Sequence, residues 1–481
     1  MKEQGKTDCL LMQSPFSAQG ILPHSDSHTM GEGILSISAF LGSKGITTEI
    51  FCVDELYLDI PGFKFNRKKY DIPLENIKEL IREISPRVVG ISALTPQYPT
   101  ALDILRLCKE ADSSILTFIG GPHVTFTDRQ VFSDSEHVDV VVRGEGEWTV
   151  ADLMQHIKEG KPLDDVLGIT FRRNEKIIRN DDRPFGNLEE LPPVDYSKPN
   201  QEYLKKCNFF LTFTRGCPFN CSYCVEGKFW GNCVRARSVE TVLKEVRYLI
   251  NNFGEDTELL FLGSIFNAPE KFFRTICKEL KNMDIGSRKV SVLVSAAFLP
   301  EEHVRLMAEA GIKKLLIAVE SASPVILEKM QKKISFDMVV EKCKLIRKYG
   351  LQIGTFWLFG HPGETEETAK ESFDAMVHLW ENDLNDKQEI AIFTPYPGLA
   401  ITKDPEKYGY KIISQDISEY SRFDKPVIEL NTISYDRLCE IYWEARQIAQ
   451  YWLSCKNEIF SLDLAGIYQK VHSRKRITSV S

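Results

Sequence analysis

The chain has 481 residues and a formal charge of −8, from 60 Lys and Arg against 68 Asp and Glu. Hydrophobic residues make up 43% and charged residues 27%, which excludes wholesale disorder, and the acidic surplus excludes general nucleic-acid binding, which needs a basic face. No apolar stretch is long enough for a transmembrane helix, and the polar start Met1-Lys2-Glu3-Gln4 lacks a signal core, so the chain is expected in the cytosol.

Its length predicts two or three domains. Leu10-Leu11-Met12 opens a predicted strand, and the apolar positions from Ile34 to Leu41 suit a helix stopped by Gly42 and Gly45. Thr47 to Val53 reads as a second strand, Ile77 to Ile84 as a helix closed by Pro86, and Val88 to Ser92 as a third strand. Ile115 to Ile119 and Val138 to Val142 continue the series. Strands that are apolar throughout and alternate with helices predict a parallel sheet covered on both faces. Residues 1–190 are therefore expected to form a Rossmann-like domain with its linker, the Pro-rich connection lying at Leu191 to Pro199.

The alternation then restarts, with predicted strands at Phe209–Thr214, Glu258–Leu262, Val290–Ser295, Lys314–Val319, Gln352–Phe359 and Glu389–Phe393. Pro300 and Pro324 sit in first helical turns, and Gly311 ends a helix. These units predict a partial or full β/α barrel over residues 200–400. Residues 401–481 read as mostly helical, strongest from Leu438 to Trp452, with a short basic tail. The fold class is α/β.

The most informative segment is Thr214-Arg215-Gly216-Cys217-Pro218-Phe219-Asn220-Cys221-Ser222-Tyr223-Cys224, directly after the first predicted barrel strand. The spacing is CxxxCxxC. Three thiolates on one loop can ligate three irons of a [4Fe–4S] cube and leave the fourth iron open for chemistry. A structural zinc site would need a fourth ligand, for which Cys233 and Cys207 are the nearest choices, and three unrelated core cysteines are the other reading.

This segment resembles the signature of the radical SAM superfamily, with the aromatic Tyr223 before the last cysteine. The resemblance implies that S-adenosylmethionine (SAM) chelates the open iron and is split by an electron from the cluster into methionine and a 5′-deoxyadenosyl radical. It also implies a one-electron donor such as a flavodoxin or ferredoxin. The SAM contacts it suggests lie at strand ends. Gly263 and Ser264 stand where relatives place acidic residues for the SAM ammonium, so the mode of SAM binding departs from theirs. Glu320 falls in a Val-Glu-Ser element, and Gly360 begins Gly360-His361-Pro362-Gly363-Glu364-Thr365, a motif shared with relatives. Lys332 and Lys333 read as surface lysines and His361 as a turn residue.

The resemblance extends upstream to the cobalamin (B12)-binding subgroup. Ser92-Ala93-Leu94 and Gly120-Gly121-Pro122-His123 resemble its SxL and GG elements, and Arg143-Gly144-Glu145-Gly146-Glu147 a further element of the subgroup. The contacts implied for cobalamin are Ser92, Leu94, Gly120, Gly121, His123 and Gly144; His123 either faces the corrin or caps a loop. The DxHxxG motif is absent, with Val53-Asp54-Glu55-Leu56 in its region, so cobalamin would bind without a histidine on cobalt.

The function implied is reductive SAM cleavage coupled, with cobalamin, to methyl transfer onto an unactivated carbon of a small molecule or peptide. The alternatives are a cobalamin-independent radical SAM cyclase or rearrangement enzyme, and a non-catalytic cluster- or cofactor-binding protein. Tyr396, Tyr410, Tyr420 and Trp443 read as core-packing aromatics.

Overall fold

The computed structural model describes residues 7–15, 28–57, 74–255, 257–283, 285 and 288–457. The N-terminal hexapeptide and the basic tail lie outside them. In the first sheet the strands Thr48–Cys52, Cys9–Gln13, Val88–Ser92, Leu116–Gly120 and Val140–Val142 are parallel neighbours in that order. Strand residues alternate in facing. Leu10, Met12, Val89 and Ile91 meet Ile77, Ile81 and Ile104 of the helices Leu74–Ile84 and Tyr98–Ala111. Cys9, Leu11 and Val88 face Ile34, Leu35 and Leu153 of the helices Glu32–Ser43 and Gly146–Glu159. This is the expected Rossmann-like arrangement.

Two antiparallel strands, Ile169–Arg173 and Lys176–Arg179, extend this sheet beyond the parallel series. Their charged edge, with Arg173 and Lys176 exposed, hides them from an apolar-run reading.

The second sheet runs Lys387–Ile392, Gln352–Phe359, Lys314–Glu320, Val290–Val294, Leu259–Leu262, Cys207–Thr212, every neighbour parallel. Adjacent strands are consecutive in the chain, as right-handed βα units require. Among the described residues the two outer strands are not paired to each other, so the barrel is partial. Beyond Cys207–Thr212 lies a two-residue strand from the first domain, His28–Thr29, paired to Cys207 and Asn208.

The C-terminal region contains the 23-residue helix Tyr435–Asn457, packed on the last barrel strand, and also an antiparallel pair, Tyr410–Ile412 with Ile428–Leu430. Tyr410 is buried in the core, whereas Trp443 is 53% exposed and does not pack as expected. Among the described residues no helix is long and apolar enough to cross a membrane.

Candidate cluster and cofactor site

The loop carrying the three cysteines leaves the barrel through Thr214–Arg215, which pairs antiparallel with Arg235–Ala236 and so closes the loop at its base. Cys217 N–H donates to the Gly231 carbonyl at 3.1 Å, and Cys224 N–H to the Cys221 carbonyl at 3.2 Å. Between the cysteines, Ser222 is anchored to a neighbouring barrel turn: its N–H donates to the Met330 carbonyl at 2.9 Å, and its hydroxyl lies 3.0 Å from His361 Nε2. His361 is buried, Nδ1 sits 3.1 Å from the Pro362 carbonyl, and burial lowers its pKa to about 4. The Ser222 hydroxyl also donates to the Lys329 carbonyl at 3.0 Å, so it bridges the imidazole and the Lys329 backbone. The residue expected to serve only its own turn thus also holds the cysteine loop.

Cys217, Cys221 and Cys224 are each partly accessible, and burial pushes their thiols above the usual range, Cys224 to about 12. Cys207 is buried with its thiol on the Tyr203 carbonyl, and Cys233 is exposed. Among the described residues no three His, Cys, Asp or Glu side chains converge as ligands of one metal ion would. A cube spaces its thiolates wider than a single zinc does, and three soft donors on one loop fit it.

The implied SAM residues gather at the same mouth. Glu320 ends its strand with a left-handed backbone, φ +69°, at a register shift against the strand Gln352–Phe359. Such a conformation is costly for a residue with a Cβ and is held only by its surroundings. Tyr223 donates its hydroxyl to Glu320 Oε1 at 3.0 Å, and Lys332 Nζ donates to the Tyr223 hydroxyl at 3.2 Å while lying 3.8 Å from Glu320. Lys332 is 13% exposed. It is therefore not a surface lysine but the cation of a half-buried trio, brought from 109 residues away in sequence.

At the end of the strand Leu259–Leu262, Ser264 donates to Glu226 Oε2 at 2.7 Å. Glu226 lies in the short helix Glu226–Phe229 just after Cys224, and burial raises its pKa, with the Ser264 bond and the Arg422 charge opposing. No sequence motif marks it. Gly263 runs so close to Thr214 that a Cβ would meet its Oγ1 at 2.1 Å. Gly360 lies at the end of the strand Gln352–Phe359, and Glu364, fully buried, accepts from its N–H; burial pushes Glu364 up to about 8. Thr365 then caps the helix Glu366–Glu381 by accepting from Thr368 N–H.

In the first domain Gln13, Ser92 and Gly120 are register partners at one sheet edge, where the strand order reverses between Cys9–Gln13 and Val88–Ser92. That reversal opens the crevice where ligands of such sheets bind. Leu94 is exposed at the rim, and Gly121 (φ +110°) passes within 2.6 Å of the Ala93 carbonyl at the point a Cβ would occupy. Gly144 N–H donates to Thr125 Oγ1 at 3.0 Å. A cradle of small residues fits a bulky planar ligand. His123 is turned inward instead. It is buried, 3.2 Å from Thr95 Oγ1 and 4.4 Å from the Tyr98 ring centroid, and burial lowers its pKa to about 4. In the Val53-Asp54-Glu55-Leu56 turn, Glu55 accepts from Cys52 N–H at 3.0 Å.

The two domains meet at the cysteine loop. Arg215, two residues before Cys217, donates to Glu145 at 3.2 Å and to Glu147 at 2.5 Å, and lies 4.6 Å from the Trp230 ring centroid. Arg235 reaches Glu145 at 2.8 Å. The Arg143–Glu147 turn thus supplies the acids of an interdomain clasp. A cavity of about 520 Å³ lies between Phe126 of the first domain, Lys228, Pro397 and Gly398 of the second, and Lys403 of the C-terminal region.

Residues 24–154 match the model of the B12 binding domain, and residues 211–376 that of the radical SAM superfamily. An uncharacterized methyltransferase of Pyrococcus horikoshii is 29% identical over 384 residues, 78% of this chain and 81% of that protein. The anaerobic magnesium-protoporphyrin IX monomethyl ester cyclase of Rubrivivax gelatinosus is 26% identical over 383 residues, 77% of this chain and 67% of the cyclase. Among solved structures, the radical SAM methyltransferase TsrM from Kitasatospora setae, with cobalamin and a [4Fe–4S] cluster bound, superposes with a TM-score of 0.67 at 17% identity, covering 88% of this chain and 86% of TsrM. The chain is a radical SAM protein with an N-terminal B12-binding domain.

Proposed function

We propose that the chain is a cobalamin-dependent radical SAM methyltransferase acting on a small molecule or peptide. The observation that supports this reading is that the short helix after Gly121 and the short helix after Cys224 line one cavity of about 520 Å³, through Phe126 and Lys228. Bound there, the cluster and SAM would supply a carbon-centred radical and cobalamin a methyl group.

The chain's own residues divide the remaining tasks. Cys217, Cys221 and Cys224 hold the cluster. Tyr223 and Lys332 fix the Glu320 carboxylate, which accepts from ribose hydroxyls, and the Gly360 turn offers its backbone edge to adenine. Gly263 and Ser264 receive the methionyl end. Ser92, Leu94, Gly120, Gly121 and Gly144 line the cobalamin crevice, and His123 braces it from within. Phe126 and Gly398 close over the cavity from opposite domains; a Cβ at Gly398 would meet the Phe126 ring at 2.6 Å. The electron enters from a flavodoxin or ferredoxin.

The test is anaerobic reconstitution with iron, sulfide and cobalamin, then incubation with SAM and a reductant. Bound cobalamin, seen by its absorption, together with 5′-deoxyadenosine or a methylated product, is the expected result. SAM cleavage without cobalamin binding would favour the cyclase or rearrangement reading, which the similarity to the Rubrivivax cyclase motivates. A protein that carries a cluster and never cleaves SAM would be a binding protein.

A further inference from the structure

The strand end at Gly263-Ser264 has no carboxylate of its own to receive the SAM amino group. We propose that Glu226, reached from the cysteine loop itself, supplies that carboxylate and that Ser264 is its positioning residue. This inference rests on the reading of the barrel mouth as a SAM site.

Two contacts bring the pair together. Glu226 follows Cys224 by two residues and starts the helix Glu226–Phe229. Ser264 comes from the next barrel strand, drawn against the base of the loop because Gly263 lacks the Cβ that would collide with Thr214. The hydroxyl-to-carboxylate bond of 2.7 Å then fixes the direction of the Glu226 head group. The carboxylate lies close enough to Cys217 and Cys224 to act electrostatically on both thiols. It is therefore beside the atoms that would hold the cluster.

Charge accounting distinguishes Glu226 from Glu320. Glu320 has a Lys332 ammonium at 3.8 Å and the Tyr223 hydroxyl at 3.0 Å. Among the described residues Glu226 has a hydroxyl partner but no ion pair in contact, the Arg422 charge reaching it only from a distance. A carboxylate withdrawn from water without a cation in contact is costly, and that cost is recovered when a ligand brings one. A primary amine presents N–H donors and positive character in a compact group, which matches one carboxylate and one hydroxyl. The two acids thus have separate duties: Glu320 is neutralised by the protein, and Glu226 is left for the ligand.

The test uses cluster-loaded full-length protein, with SAM and its deaminated analogue, in which hydrogen replaces the amino group, as probes in anaerobic equilibrium dialysis. Glu226→Gln is expected to weaken SAM binding about tenfold or more while iron and sulfide contents stay at the wild-type level. The deaminated analogue is expected to bind wild type and variant equally. Equal SAM affinity in the two proteins, or parallel loss of SAM and analogue, would overturn the assignment. Should Glu226→Gln fail to retain the cluster, Ser264→Ala decides: a loss of about threefold or more for SAM alone supports the pair, and no loss refutes it. Wild-type protein that binds no SAM would instead sink the functional reading on which this one stands.

Discussion

Arg215 on the barrel and Glu147 on the B12-binding domain form a buried two-point pair, with Nη2 to Oε1 at 2.5 Å and Nη1 to Oε2 at 3.3 Å. Burial alone would raise the Glu147 pKa, but the Arg215 charge and the bonds from Arg215 and Ser36 hold it below 4.5. Removing Glu147 strips Arg215 of its two-point partner and leaves it only the Glu145 contact at 3.2 Å, at a cost of about 2 kcal/mol. Glu147→Ala is therefore expected to lower the unfolding free energy of the metal-free protein by that amount in urea titrations. The contribution is complete above the unfolded-state pKa and disappears as pH falls through the depressed native value. Wild type and variant should then converge in acid; a gap that persists there would argue for lost packing instead.

On the proposed ligation Cys221→Ala removes the thiolate of one cluster iron, so reconstituted protein should lose its iron–sulfur absorbance and all SAM cleavage. Cys233→Ser should keep both, because the exposed Cys233 takes no part in a three-cysteine cube. Metal analysis separates the readings: a zinc content that falls with Cys233 would replace the cube by a four-ligand site.

Glu364 titrates in the opposite sense to Glu147. Its native pKa of about 8 lies above the unfolded 4.5, so the folded state keeps a proton that the unfolded state releases. Stability conferred by the neutral carboxyl is full below the unfolded value and declines, by about 1.4 kcal/mol per pH unit, until the native value is passed. Wild type should lose ground against Glu364→Gln between pH 5 and about 8 in paired unfolding curves. Parallel curves across that interval would rule the buried acid out as the cause.

Gly121→Ala places a methyl group 2.6 Å from the Ala93 carbonyl on a backbone at φ +110°. The collision and the strained φ together should cost about 2 kcal/mol or more. Cobalamin binding, followed by absorption, should weaken with it while cluster content is retained. Unchanged cobalamin affinity would detach this turn from the proposed crevice.

Much of the fold was legible because each βα unit carries its own punctuation. Val88–Ser92 and Gln352–Phe359 fall at the expected positions, since both are dense apolar runs after a Pro or Gly stop. The sequential strand order of the barrel follows from local connections. The arginine-rich strands at Ile169–Arg173 and Lys176–Arg179 lack the apolar run that marks a buried strand, and two residues at His28–Thr29 show no period. At the site, the cysteines announced themselves by spacing. Lys332, Glu226 and the bracing role of His361 did not, because each depends on a partner 38 to 139 residues distant that only folding brings near.

The strand His28–Thr29 means that the barrel borrows its last hydrogen-bonding rung from the neighbouring module. A fragment starting near residue 200 would bare the backbone of Cys207 and Asn208 as an open template for any passing strand. Such a fragment should self-associate where the intact chain stays dispersed, so evolutionary or laboratory recombination of this barrel with a foreign partner would need to carry the rung along.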